Sequence, residues 1–488
     1  MSNKKNAAQL SLMIFLTLLS QIIALYKSRF TAITFGATAY MDAYNYALNI
    51  ATFVFAFITT GVTTVIIPAY VNKTNKKAVN SFITIIYSVT LFVVLTVITL
   101  RTPILELLTN RGTDFINIVG DFLIVAFIIQ GLLAFQAVTA GFYQCNDHYN
   151  IPKFITLVAN LMVAIVLISG VVKNIYVYLT FLVCGSVLNF TVDIIVAIKY
   201  GFRYKPELDL KSDDLEKMLV VFMPTLFSSG VYKIHTMVDT TIATNLLEGQ
   251  ITILSYATQI ITMVNNVIVG NLTVYAYPKI VARLNNKDSK QNFWDYSILF
   301  HAVIVLLICG FINVGYEGVK MIFQGGKFTA ENTQMLYMCT CVYIFGQQFN
   351  IIRDLIYRYF YAQGNTKETF KNSVLVSVLN IVLSLVLVRF MGLIGIILGT
   401  VISSLISLIM IIFRFRKEYG LGVKFSGILF ECGKNLIAAF GTVVIVQMLK
   451  SITHFSNIIA LVLFGLLTIV VYCLILLALK TKARHIRF

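Results

Sequence analysis

The sequence predicts an all-α polytopic membrane protein with about fourteen transmembrane helices, and three observations carry that prediction. Of the 488 residues, 58% are hydrophobic and 12% charged, with a mean hydropathy of +0.85; a soluble domain has about 25% charged residues. Apolar windows of about 20 residues recur along the whole chain, each long enough to cross a hydrocarbon core of about 30 Å as a helix. Lysine and arginine are concentrated in alternate connections between those windows.

In chain order the windows fall at 8–26, 43–67, 80–100, 116–142, 153–172, 176–198, 219–244, 251–277, 293–314, 333–357, 373–389, 392–413, 426–449 and 455–479. The first is longer than a secretory apolar region and no small-x-small cleavage site follows it. It is therefore expected to remain as a span behind the basic tail Met1 to Lys5. The windows at 219–244 and 333–357 contain charges, which leaves the count between twelve and fourteen.

The net charge of +17 is distributed by topology. With the N-terminus inside, the outer connections hold Lys27, Arg29, Arg101, Arg111, Lys173, Lys320, Lys327, Arg389 and Lys450, whereas most of the other basic residues, among them Lys73, Lys76, Lys77, Lys279, Arg283, Lys287, Lys482, Arg484 and Arg487, fall on the other side. Such asymmetry marks the cytoplasmic side and places both termini there. The basic excess thus reports orientation and anionic lipid contact, and no nucleic-acid partner is expected. The seven cysteines show no CxxC or Cys/His ligand spacing and read as core thiols.

The chain has an internal repeat. Tyr46-Ala47 stands as far ahead of Pro68 as Tyr256-Ala257 stands ahead of Pro278, and each proline is expected to end a long span. Phe142-Tyr143 then precedes a polar turn and Asn160, as Phe360-Tyr361 precedes a polar turn and Asn380. Four landmarks in one order imply two parallel six-helix lobes, a transporter architecture in which one half rocks against the other. The expected organisation is a six-helix lobe at 1–200, a cytoplasmic linker at 201–218, a second six-helix lobe at 219–416, and two extra helices with a basic tail at 417–488.

Charged residues inside spans are rare and mark function or pairing. Lys27 and Arg29 close the first window and Asp42 opens the second, either as interfacial anchors or as the rim of a cavity. Lys233, His235 and Asp239 lie on the seventh span, with His235 and Asp239 on one face. On the tenth, Asp354 and Arg358 are spaced to pair, which leaves Arg353 for a ligand. Glu431 and Lys434 read as a local pair. Many cations with few unpaired acids suit a phosphorylated cargo, because guanidinium groups hold phosphate oxygens bidentately and lysine adds a point charge.

Several stretches resemble the MurJ/MviN lipid II flippases, within the multidrug, oligosaccharidyl-lipid and polysaccharide (MOP) exporter superfamily. They are Ser20-Gln21, Lys27, Phe35-Gly36-Ala37, Asp42-Ala43, Gly61 and Ile67-Pro68, then Pro224, Asp239-Thr240, Gly249, Leu254-Ser255-Tyr256-Ala257 and Pro278, then Arg358 to Ala362, Asn380, Gly392, Gly395 and Gly399-Thr400. The resemblance covers most of 8–415 in order. It implies two lobes around a cationic cavity, a groove for a polyprenyl tail at the last two helices, and movement of an undecaprenyl-pyrophosphate-linked sugar between leaflets. It maps the family's first-span basic position onto Lys27, its second-span acid onto Asp42 and its tenth-span arginine onto Arg358. The chain departs from the pattern at Gln21 and Gln259, where arginine is usual, and at Lys27 and Ser28, where arginine and aspartate are usual.

The resulting expectation is a non-enzymatic flippase of the bacterial cytoplasmic membrane, multi-pass and monomeric, in contact with membrane lipids. Its cargo is lipid II or another cell-wall or capsule unit. Lys27, Arg29, Lys233, Arg353 and Arg358 are expected to meet the pyrophosphate, and Asp42, Asp239, Gln21 and Gln259 to line or couple the cavity. No cofactor is expected, and the driving force would be membrane potential, a proton or a sodium ion. The alternative is a cation-coupled multidrug exporter of the same superfamily, using an acidic site formed by Asp42 with Asp193 or Asp239. A membrane-bound glycan polymerase or ligase is disfavoured, because the outer connections at 101–115 and 315–332 contain no histidine.

Overall fold

A computed structural model of the chain describes residues 2–71, 74–266, 289–363, 365–453 and 455–481. The Pro278 landmark, the later part of the 251–277 window, and the basic residues Lys73, Lys279, Arg283, Lys287, Lys482, Arg484 and Arg487 lie outside the described residues. Packing divides the chain into two compact units, Met1–Thr252 and Ile253–Phe488.

The first unit comprises α1 (Ser2–Phe35), α2 (Ala39–Val71), α3 (Lys76–Thr99), the short α4 (Arg101–Leu108), α5 (Thr113–Cys145), α6 (Asn150–Ile168), α7 (Ile175–Lys199) and α8 (Asp213–Ala243), and ends at the start of α9 (Gln250–Val264). Polar side chains set some of these starts: Asn75 accepts from Lys77 N–H at α3, and Asn174 from Val177 N–H at α7, satisfying donors that a first helical turn leaves open. α2 is the central element, packed on α5 and on α8. Its inward face runs through Ala43, Tyr46, Ala47, Ile50, Ala51, Phe55 and Val62, all buried. Tyr46 stacks on Phe115 and Phe55 meets Phe127 edge-on. α1 packs on α6, and α7 on α5 and α6.

The second unit holds the rest of α9, then α10 (Ser289–Phe323), α11 (Ala330–Phe345), α12 (Gln347–Ala362), α13 (Thr366–Tyr419), α14 (Phe425–Ile452) and α15 (Asn457–Ala478). An aromatic cluster of Phe293, Trp294, Tyr359, Phe360 and Phe415 forms one core, with Trp294 Nε1 donating to Leu421 O at 3.0 Å. α14 and α15 are fastened to α10 by polar contacts. Lys450 bonds Glu317 at 2.7 Å, Asn313 bonds Thr468 at 3.0 Å, Tyr472 donates to Ala302 O at 3.0 Å, and Asn435 meets His301 at 3.2 Å. The expected Glu431–Lys434 pair is present at 2.9 Å.

The 54 residues of α13 would extend about 81 Å as one straight helix, far more than a bilayer core. Gly392 breaks it with φ 55°, ψ −133°, a conformation open to glycine because it lacks a Cβ. The two arms fold back on each other, matching the windows at 373–389 and 392–413. Contacts widen symmetrically about the break, from Gly395 on Leu387, through Gly399 on Ser384 and Asn380 on Thr400, to Asn372 on Ser407. Any Cβ at Gly395 would run into the Leu387 carbonyl.

Eleven helices among the described residues are long and apolar enough to cross a membrane. Dividing α13 at Gly392 and adding α8 and the α9 position accommodates the fourteen-span expectation. The structure also differs from the sequence reading in detail. The 333–357 window is two helices meeting at Gly346, and the 101–115 connection contains α4. α2 continues through Pro68 to Val71, although the proline has no amide hydrogen to donate to the turn before it. Packing places α8 in the first unit, against α2.

Gly395→Val is expected to destabilise the protein by about 3 kcal/mol, as overpacking against backbone does. It should lower the temperature at which detergent-purified protein loses its monodisperse elution peak, while Gly465→Val, at a glycine with open space around it, should leave that temperature near wild type.

Candidate functional site

Asp42 lies in the first turn of α2 and its side chain is 0% exposed. A buried carboxylate is tolerated only when its lone pairs are filled and its charge is met. Both conditions hold. Oδ2 accepts from Arg111 Nη1 at 2.9 Å and from Gly249 N–H at 2.8 Å, while Oδ1 accepts from Thr252 N–H at 2.9 Å and Thr252 Oγ1 at 2.8 Å.

The main-chain donors belong to the opening turn of α9, whose first N–H groups have no partner within the helix. Asp42 therefore caps α9 with a negative charge at the positive end of its dipole. The reverse contact also forms, as Glu248 Oε1 accepts from Ala39 N–H at 2.7 Å at the start of α2. Two helix N-termini are thus capped reciprocally, each by a carboxylate from the other's segment. Gly249 is required here: its φ is +86°, and a Cβ would stand 2.7 Å from Ala37 O.

Neutral contacts extend the join. Thr109 Oγ1 donates to Thr244 Oγ1 at 2.8 Å, and the Tyr46 hydroxyl lies 3.3 Å from Thr241 Oγ1. The Arg111 guanidinium lies over the Phe115 ring, 4.4 Å from its centroid, a favourable cation–π position. Arg111, Glu248 and Thr252 are the residues of this join that sequence reasoning missed. Arg111 counted as a loop charge, and the acidic Glu248 ahead of a helix start was the one local signal available.

α1 runs to Phe35, so Lys27 lies within the helix, about 12 Å from its end at 1.5 Å per residue. Its ammonium donates to Asn160 Oδ1 of α6 at 2.6 Å, and Lys153 of α6 donates to Thr17 Oγ1 of α1 at 3.0 Å. Arg29 and Gln21 lie half-buried on α1, as does Lys233 on α8, and Asp239 of α8 is buried.

Arg353, Arg358 and Gln259 belong to the second unit. Arg353 is 8% exposed and donates through Nε and Nη2 to Asp354 Oδ1 at 3.2 and 3.1 Å. Arg353, expected to be left over for a ligand, is instead engaged with the carboxylate of the adjacent Asp354. Its guanidinium also stands 5.7 Å from the Tyr357 ring centroid.

The family model for the lipid II flippase MurJ matches residues 31–467. This chain belongs to the MurJ family. Curated relatives described as probable lipid II flippase MurJ include one from Rickettsia prowazekii (strain Madrid E), 24% identical over 454 residues and 89% of each chain. Another, from Borreliella burgdorferi, is 25% identical over 445 residues, 87% of this chain and 86% of the relative. Among solved structures, a lipid II flippase MurJ in an inward closed conformation superposes with a TM-score of 0.81 at 19% identity, covering 95% of this chain and 97% of that one. A multidrug-resistance MATE transporter of the MOP superfamily, inward-facing, reaches 0.64 at 13% identity over 83% of this MurJ-family chain and 97% of its own.

Asp42→Asn removes the charge that faces Arg111, and breaking a buried pair costs on the order of 3 kcal/mol. In a cysteine-free background carrying Ala37→Cys, the substitution is expected to raise the rate of labelling by a membrane-impermeant maleimide several-fold. An unchanged rate would mean that Asp42 does not hold this join closed.

Proposed function

We propose that this chain carries lipid II, an undecaprenyl-pyrophosphate-linked oligosaccharide, from the inner to the outer leaflet of the bacterial cytoplasmic membrane. It does so by alternating access, as a monomer with both termini cytoplasmic and without catalysing a covalent step. The observation that carries this reading is the reciprocally capped join at Asp42, together with membership of the MurJ family. The basic-residue asymmetry puts Arg111 and the start of α2 on the outer side, so the join acts as an outer latch. Release of a glycan headgroup outward requires the α8–α9 segment to leave α2, exposing Asp42, Arg111 and the α9 N-terminus to water, which then replaces the lost hydrogen bonds.

The headgroup's charge is met by basic side chains held within spans. An ammonium has three donors; Asn160 takes one from Lys27, and pyrophosphate oxygens accept from the same group. Arg29 and Lys233 of the same unit contribute further positive charge, with Gln21 and Asp239 as the accompanying polar groups. The polyprenyl tail lies along the apolar outer faces of α14 and α15, where Phe430, Ile437, Phe440, Ile458 and Val462 are exposed. The multidrug-exporter alternative is less well supported, since the MATE likeness is weaker in both superposition and coverage.

In proteoliposomes containing fluorescent lipid II, the wild type is expected to expose the label to an external quencher, and Lys27→Glu to slow that exposure more than tenfold. Export of ethidium in place of lipid II by the wild type would refute the reading.

A further inference from the structure

A second buried carboxylate lies in the first unit, and neither the latch nor Lys27 uses it. Asp193 is 2% exposed and sits six residues before the end of α7, about 9 Å inside the helix. Asn189, one turn earlier, shares its face, as Gln136 and Thr139 share a face of α5. The two faces meet: Thr139 Oγ1 and Asp193 Oδ2 are 2.5 Å apart, and Asn189 Nδ2 donates to Gln136 Oε1 at 3.3 Å. Asn189 is 7% exposed, and its Oδ1 is buried with no hydrogen-bond partner among the described residues.

The contrast with Asp42 is chemical. Asp42 has four donors and a guanidinium, whereas the Asp193 carboxyl meets one hydroxyl and forms no ion pair among the described residues. The titratable groups facing it are tyrosines: Tyr143 of α5, which donates to the Asp193 main-chain carbonyl at 3.0 Å, and Tyr87 of α3. Lys153 of α6 is engaged with Thr17. A bare carboxylate in such surroundings costs several kcal/mol.

Proton counting points to the remedy. Thr139 Oγ1 lies within hydrogen-bond distance of two acceptors, Asp193 Oδ2 and Gln136 O at 2.9 Å, and a hydroxyl carries one hydrogen. If that hydrogen goes to Gln136 O, a neutral Asp193 supplies the second hydrogen by donating to Thr139 Oγ1. The accepting Asn189 Oδ1 beside it gives an arriving hydronium or water a second partner.

We propose that Asp193, with Thr139, Asn189 and Gln136, forms a proton-binding site between α5 and α7 that couples proton movement to transport, a role that rests on the flippase reading above. The site takes a proton from water on one side of the membrane and returns it to water on the other. No bond in the cargo changes.

The direct test uses wild-type protein in proteoliposomes and the hydrophobic carboxyl reagent dicyclohexylcarbodiimide, which attacks protonated carboxyls, with modified peptides identified by mass spectrometry. Labelling at Asp193 is expected, falling at least tenfold as pH is raised between about 5 and 9, a range spanning the shifts that burial imposes on carboxyls. Absence of label at Asp193, labelling that ignores pH, or suppression by sodium chloride but not by pH would overturn the proposal. The coupling arm compares lipid II movement with and without an imposed pH gradient. The wild type should respond and Asp193→Asn should lose the response, and Thr139→Val, which keeps the acid but removes its hydroxyl partner, should alter it. An Asp193→Asn protein that still responds to the gradient would overturn the coupling. Labelling that follows pH in a wild type that moves no lipid II would sink the flippase reading and leave the proton site standing.

Discussion

The buried negative charge of Asp42 is the constraint on which the join of α2 to the start of α9 depends. A carboxylate with no exposed surface must find donors for both oxygens, and the sequence supplies them from two distant segments. Arg111 comes from the α4–α5 connection; the other three donors come from the start of α9. The demand fixes several neighbours at once. Gly249 must be glycine so that its amide can approach beside Ala37, and Thr252 must offer both an amide and a hydroxyl. Glu248 returns the favourable charge to the start of α2. A join of this kind is strong while dry and weakens when wetted, because water offers every group a substitute partner. That property suits a closure that has to open.

The same logic runs through the rest of the chain. Lipid tails are as apolar as leucine, so helices in a membrane gain little from hydrophobic burial against each other and rely on close packing and hydrogen bonds. Lys27 with Asn160, Asn313 with Thr468, and Asn380 with Thr400 each join one apolar helix or helical arm to another. Glycines 395 and 399 allow the two arms of α13 to approach at backbone distance. Asp42 and Asp193 then differ in kind: one acid is saturated by four fixed donors and acts as a structural closure, and the other meets a single hydroxyl among the described residues and is suited to exchange a proton.

Much of the architecture was legible in the sequence because hydropathy in a membrane protein is a direct physical readout. Among the described residues the apolar windows fall on the observed helices, and even the break at Gly392 lies at the gap between two windows. Lys27 and Asp42 stood out because charges within spans are costly. Other features were not legible. Arg111 looked like one more loop cation, since its partner is 69 residues away and pairing across helices leaves no local periodicity. The spacing of Asp354 and Arg358 suggested a pair, yet the flexible Arg353 side chain reaches the same carboxylate from the adjacent position. Lys27 seemed to close its span because the hydropathy window ended there, whereas the helix continues for two more turns through Ser28 to Phe35.

The central claim is that the α8–α9 turn must part from the start of α2 in every transport cycle. Thr109 and Thr244 stand hydroxyl to hydroxyl across that join, close enough for a disulfide between cysteines at both positions. The decisive measurement is lipid II movement in proteoliposomes by a Thr109→Cys/Thr244→Cys protein lacking its native cysteines, before and after oxidation. The account predicts that oxidation abolishes movement and that a reductant restores it. Undiminished movement by fully cross-linked protein would contradict it.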